Sequence, residues 1–416
     1  MNDIAAKPPV DEAAPPPEGP RVLQVVPALG EGGVERGTLD IARVLVAEGW
    51  QALVASSGGA GEKELREIGG TFIQLPLHGK NPLVLRANIG RLQRLIRSHK
   101  VDLVHARSRA PAWSAYFAAK RCKVPFVTTF HGVYEGSEQW FKRRYNAIMA
   151  RGQRVIAISQ YVADHIRDRY GVGPDRLRVI PRGIDVATFD PEQVDPARRA
   201  ALAERWRLPE GVRVVMLPGR VTRIKGHQLL LRALERMSRR DFVCLMVGSV
   251  EPRTSYVSEV EALIGALGLS DVVRMVGTCD DMPAALSLAD FVVVPSIGPE
   301  GFGRVSVEAQ AMGKAVIAAD IGGLSETVMP AATGWLVPPN DAGELAQALE
   351  LALAMPDDAR ARLATRARRF VARNFTLEQM GRRTLAVYRE LLEDQSAAEV
   401  DDAIAPPATR VAQRIA

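Results

Sequence analysis
The chain has only three cysteines, Cys122, Cys244 and Cys279, in 416 residues. They show no metal-ligand spacing and frame no disulfide scaffold, so they read as small buried or half-buried thiols of a reducing compartment. No apolar run approaches the roughly 18 residues that a membrane-spanning helix needs. Residues 1–20 are proline-rich and lack the apolar stretch of a signal peptide. They and residues 395–416 read as disordered tails. These absences predict a cytoplasmic protein, at most peripheral on the inner face of a membrane. A dinucleotide fingerprint is missing too: Gly30 and Gly32 fit G-x-G, but Glu35 occupies the third glycine position. No nucleic-acid-binding motif accompanies the net charge of +6.

What remains is an ordinary globular composition, long enough for two or three domains. QALVASS, TFIQLPL, DLVHAR, PFVTTFH and RVIAIS read as strands in the first half. VRVVMLPG, FVCLMVGS, DVVRMVG, FVVVPS, AVIAAD and GWLVPP read as strands in the second. Helical patterns lie between them, which predicts an α/β chain of parallel sheets covered on both faces. PEQVDPARRAALAERWRLPEG between the halves is polar, proline-punctuated and linker-like.

The stretch GPEGFGRVSVEAQAMGKAVIAAD, residues 298–320, carries the most chemistry. It reads as a glycine loop after a buried strand, then a helix whose Val305, Ala309 and Met312 share one face. Bare glycine backbone at a helix N-terminus makes an anion site. Glu300 and Glu308 flank it, and carboxylates repel phosphate, so sugar hydroxyls are their natural ligands. A phosphate cradle between two hydroxyl-binding acids suggests a nucleotide-sugar site.

EGFGRVSVE resembles the E-x7-E signature of the retaining GT-B glycosyltransferases of glycosyltransferase family 4, also called group 1. The resemblance runs from about Val22 to about Leu392. It implies two Rossmann-like parallel-sheet domains facing across a cleft. These would be an acceptor-side domain over 21–185 and a nucleotide-sugar domain over 186–375. A final helix, about 376–394, would cross back to the first domain. It also implies retention of anomeric configuration.

Roles follow residue by residue. Gly32 and Gly33 match the family's GG, which brings backbone of the first domain close to donor phosphates and acceptor; a purely structural glycine turn is the other reading. His131 ends a strand and looks like the family's histidine beside the donor sugar, whereas His105 ends another strand without that match. Arg220 and Lys225 lie five residues apart beyond a Pro-Gly turn and could face one pyrophosphate, where preorganised cations stabilise the leaving group. Arg223 reads as a solvated neighbour. The diphosphate would also meet backbone of Gly301, Phe302, Gly303, Arg304 and Val305. Glu300 would hold the sugar and Glu308 the ribose. Gly277 and Thr278 match a turn that contributes to the family's base pocket.

Ser159 and the pair Asp280–Asp281 read more simply as helix caps. Gly322, Gly323 and Glu326 fit a phosphate or ribose contact and a plain turn equally. RVIPRGIDVATF resembles the family's interdomain segment, with Arg182 where Asn is usual.

No DxD-like carboxylate pair follows a strand of the first half, so no cofactor or divalent metal is expected to assist the NDP-sugar donor, UDP- or GDP-linked. The expected acceptor is saccharide or lipid-linked, in envelope polysaccharide or lipopolysaccharide synthesis. The alternatives are a nucleotide-sugar 2-epimerase of the same architecture and a non-catalytic nucleotide-sugar-binding subunit. Residues 80–182 hold 21 Lys plus Arg against 6 Asp plus Glu. Within them EQWFKRRYNAIMARG mixes Trp140, Phe141 and Tyr145 with Lys142, Arg143, Arg144 and Arg151 on a predicted helix. A basic, aromatic-bearing surface suits an anionic membrane, although Trp140 and Tyr145 also read as core.

Overall fold
A computed structural model describes residues 19–30, 32–79, 81–134, 140–250 and 254–404. Most of the two expected tails, 1–18 and 405–416, lies outside the described residues, as do Glu138 and Gln139 of the basic helix.

The first domain runs β1 (Arg21–Val25), α1 (Gly33–Ala47), β2 (Gln51–Ser56), α2 (Gly61–Glu67), β3 (Thr71–Gln74), α3 (Pro82–Ser98) and β4 (Leu103–Ala106). It continues with α4 (Arg109–Cys122), β5 (Phe126–Phe130), α5 (Trp140–Asn146), β6 (Arg154–Ala157), α6 (Gln160–Tyr170) and β7 (Leu177–Val179). The second opens with α7 (Pro196–Arg205), β8 (Arg213–Pro218), α8 (His227–Arg236), β9 (Phe242–Val247), α9 (Ser255–Ala266) and β10 (Val273–Gly277). It closes with α10 (Met282–Leu288), β11 (Phe291–Val294), α11 (Arg304–Ala311), β12 (Ala315–Ala319), α12 (Leu324–Thr327), β13 (Gly334–Val337) and α13 (Ala342–Leu353). Two long helices end the chain, α14 (Asp357–Asn374) and α15 (Leu377–Ile404).

The strands form two parallel sheets, ordered β3-β2-β1-β4-β5-β6-β7 and β10-β9-β8-β11-β12-β13. Strands β4, β5, β9, β11 and β12 are buried at every residue. Helices cover both faces, which is why β9, β11 and β12 are continuous apolar runs. Strand order reverses between β1 and β4 and again between β8 and β11, and open parallel sheets take ligands at the carboxyl ends of such strands.

Three elements differ from the sequence reading. The linker-like stretch contains α7, because Asp195 caps it (Ala197 N–H to Oδ1, 2.8 Å) and Pro196 stands at its first turn. Leu177–Val179 adds an edge strand, β7, too short and too exposed to show a pattern. Helix α15 runs to Ile404, past the tail boundary near 394.

The chain does cross back. Leu377 N–H donates to Ile184 O (2.8 Å), and Ile184 N–H to Phe375 O (2.9 Å). Beyond that point α15 lies on the first domain. Tyr388 is fully buried there, its hydroxyl 2.6 Å from Nδ1 of His105, whose Nε2 meets Thr129 Oγ1 at 2.7 Å. Glu390 pairs with Arg154 (2.7 Å) and Arg178 (2.8 Å). His105 is thus a structural post, as its lack of a family match implied.

Candidate functional site
Strand β11 ends at Val294 and the chain turns through the glycine loop into α11. Gly303, at φ 84°, is the N-cap of that helix, a backbone angle that penalises any side chain. No side chain caps α11, so its first N–H groups stay available to a ligand. Ser306 Oγ donates to Thr327 Oγ1 (2.6 Å) and Gln310 Nε2 to Thr327 O (2.7 Å), which pins α11 against α12.

Both glutamates are partnered. Lys225 Nζ lies 2.9 Å from each oxygen of Glu300, and the Ser296 hydroxyl donates to Oε1 of the same carboxylate. Glu308 accepts from Arg304 Nε at 2.6 Å, one helical turn away. Each carboxylate is therefore held by a cation, Glu300 by Lys225 and Glu308 by Arg304. Arg220, in the loop after β8, is exposed. Arg223 pairs with Glu259 (2.7 Å) and stacks over Tyr256, a structural use. Gly277 ends β10 and Thr278 follows it; Gly277 O accepts from Gly248 N–H at 2.8 Å. Among the described residues no hydrogen bond joins them to the Glu300–Glu308 loop. Asp281 caps α10 (Ala284 N–H, 3.1 Å) and pairs with Arg198, so the cap reading holds for it.

The first domain presents its own strand ends to this loop. His131 follows β5, Arg107 follows β4, Arg182 follows β7, and Gly32–Gly33 open α1. Gly301 packs so close that an added Cβ would lie 2.7 Å from His131 O and 2.8 Å from Gly132 Cα. Both ring nitrogens of His131 are buried without a partner. Burial, then the Arg107 and Arg182 charges, hold its pKa well below the ordinary histidine range, so its imidazole is neutral. Arg182 donates from Nη1 to Gly33 O.

Two further links cross the cleft. Ser159 accepts from Val162 N–H (3.1 Å), the expected cap, and its hydroxyl also donates to Gly301 O (2.6 Å). Glu326 accepts from Gln160 N–H (2.8 Å) and Tyr161 N–H (2.7 Å), capping α6 of the opposite domain. Glu326 is thus neither a phosphate or ribose contact nor part of a plain turn, but a cap on the other domain. Arg107 and Ser296 belong to no motif in the sequence. The signal for Arg107 was its place directly after a strand, as with His131.

Residues 31–188 match the family described as Glycosyltransferase Family 4, and residues 199–370 match Glycosyl transferases group 1. A D-inositol 3-phosphate glycosyltransferase of Salinispora tropica is 33% identical over 70% of this chain. The alignment spans 64% of that relative's length. A glycosyltransferase structure from Rickettsia africae superposes with a TM-score of 0.84 at 38% identity, over 90% of this chain and 99% of that one. Anabaena HepE in complex with UDP-glucose shares the fold, with a TM-score of 0.77 at 24% identity, over 91% and 99%. Two facing parallel-sheet domains and an E-x7-E loop at a helix N-terminus are therefore those of glycosyltransferase family 4, group 1, the GT-B family to which this chain belongs.

Proposed function
We propose that the protein transfers a hexosyl group from a nucleotide-diphosphate sugar to an acceptor hydroxyl with retention. The observation that carries this reading is the Lys225–Glu300 pair beside the uncapped N-terminus of α11, with neutral His131 across the cleft. The donor diphosphate lies against Lys225, Arg220 and the backbone from Gly301 through Val305. Glu300 takes sugar hydroxyls and Glu308 the ribose. His131, uncharged, can accept or donate one hydrogen bond at the sugar without adding positive charge there.

In the reaction the bond from the anomeric carbon to the phosphate oxygen breaks, and a bond to the acceptor oxygen forms on the same face. The acceptor proton passes to the departing phosphate oxygen. Fixed cations and helix N–H groups stabilise the charge that builds on the diphosphate. Closure of the two domains excludes water from the sugar.

The acceptor is saccharide or lipid-linked, in envelope polysaccharide or lipopolysaccharide synthesis. The surface of α5 supports a membrane-borne acceptor. Trp140 is 76% and Phe141 54% exposed, beside Lys142, Arg143 and Arg144. The test is donor consumption with UDP-, GDP- and ADP-hexoses in EDTA, with product anomers read by NMR. Turnover with retained configuration is expected. Turnover only on added Mg²⁺ or Mn²⁺ refutes the role given to the protein cations, and inversion refutes the mechanism.

A further inference from the structure
Arg107 and Arg182 form a pair of buried arginines that the reaction above does not use. Each is only 5% exposed. Arg107 reaches Gln24 Oε1 from Nη1 (3.2 Å), while its Nε has no partner. Arg182 donates to Gly33 O, while its Nε and Nη2 have none. The two Nη2 atoms converge on one point, since a Cβ built on Gly37 would lie 2.8 Å from both. Only glycine on that face of α1 leaves room for two guanidinium groups.

The nearest carboxylates offset this charge in part. Asp40 acts on both arginines, Glu35 on Arg107 and Glu308 on Arg182. Asp40, however, is engaged by Arg36 at 2.9 Å and faces Arg43 at 4.0 Å. Arg304, across the cleft and itself held by Glu308, adds repulsion at Arg182. Burial first, then the Arg304 and Arg107 charges, pull Arg182 down to about 9, and burial pulls Arg107 down to about 10. Buried arginines with open N–H groups are costly unless an anion completes them.

We infer that Arg107 and Arg182 are the receptor for a phosphate group carried by the acceptor. The inference rests on the glycosyltransferase reading for the word acceptor, but the anion site stands on the geometry. Both arginines belong to the first domain, at the ends of β4 and β7, beside unpartnered His131. The donor diphosphate has its own cations, Arg220 and Lys225, in the second. Two planar guanidinium forks suit the oxygens of a phosphate better than a single carboxylate. Arg182 would then be a specificity residue of this chain.

The experiment is titration of the full-length protein with inorganic phosphate by calorimetry, on wild type and on Arg182→Asn, Arg107→Gln and Lys225→Ala. Affinity should fall tenfold or more in the two arginine variants and stay within twofold in Lys225→Ala. Arg182→Lys, which keeps the charge but loses the fork, serves if Asn does not fold, and should bind with intermediate affinity. Without phosphate, Arg182→Asn should melt no lower than wild type, and phosphate should raise the Tm of wild type and of Lys225→Ala but not of Arg182→Asn. No phosphate binding to wild type overturns the proposal. So does loss of binding in Lys225→Ala alone, which would place the anion in the donor site and leave the transferase reading intact. A Tm drop in Arg182→Asn with unchanged phosphate affinity would make Arg182 a structural strut. In transfer assays, Arg182→Asn should raise KM for a phosphorylated sugar and leave it unchanged for the neutral one. An equal rise for both refutes the inference.

Discussion

The Lys225 ammonium sits 2.9 Å from both carboxylate oxygens of Glu300, 75 residues further along the chain. Both side chains are mostly buried, at 23% and 16% exposure. Removing either partner leaves the other charge without its counterion in a half-dry cleft. Lys225→Ala and Glu300→Ala should each lower kcat/KM by about tenfold or more, since one charged contact exceeds ~1.4 kcal/mol. The double variant should lose less than the product of the two single losses, because the residues are coupled. Strict additivity in steady-state kinetics would show that the pair does not act as a unit.

Glu326 predicts a latch. Its carboxylate holds two N–H groups at the N-terminus of α6 across the cleft. Such a cap is worth about 1–2 kcal/mol. Glu326→Ala should therefore shift the domains toward an open arrangement. The expected results are a larger radius of gyration by small-angle scattering and a donor KM raised several-fold. An unchanged radius together with an unchanged KM would remove Glu326 from the account of closure.

Acid should destabilise the fold through its buried histidines. Burial lowers His227 to about 4, and His105 and His131 are lowered as well, again chiefly by burial. In the unfolded chain a histidine binds its proton below about 6.5. Between that pH and the folded value only the unfolded state is protonated. Stability is thus full above about 6.5 and falls as pH drops toward 4, by up to about 1.4 kcal/mol per pH unit for His227 alone. Urea unfolding from pH 7.5 to 5 measures this, and His227→Gln should flatten the slope. A slope unaffected by that substitution would exclude His227 as a contributor.

The α5 surface predicts salt-sensitive binding to anionic vesicles, because exposed charges are screened over about 8–10 Å at 0.1–0.15 M. Replacing Lys142, Arg143 and Arg144 together by Gln should weaken vesicle co-sedimentation and leave donor hydrolysis unchanged. Equal binding to neutral and anionic vesicles, or to neither, would leave a soluble or protein-bound acceptor.

The sequence by itself determined most of the elements and the E-x7-E loop. Buried parallel strands are continuous apolar runs, and the loop's chemistry is local: Glu300, Gly303 and Glu308 lie within nine residues. Short-range caps such as Asp281 on α10 were legible for the same reason. The edge strand β7 was not, since three half-exposed residues carry no period. Tertiary structure alone decided which distant groups meet. Glu326 finds Gln160 across 166 residues, Ser159 finds Gly301 across 142, and Arg182 finds Gly33 across 149. These pairings arise because two parallel sheets deliver their strand ends to one cleft, and sheet order follows from long-range packing rather than from any spacing along the chain. The same convergence placed Arg107 beside Arg182, in a space that Gly37 leaves open.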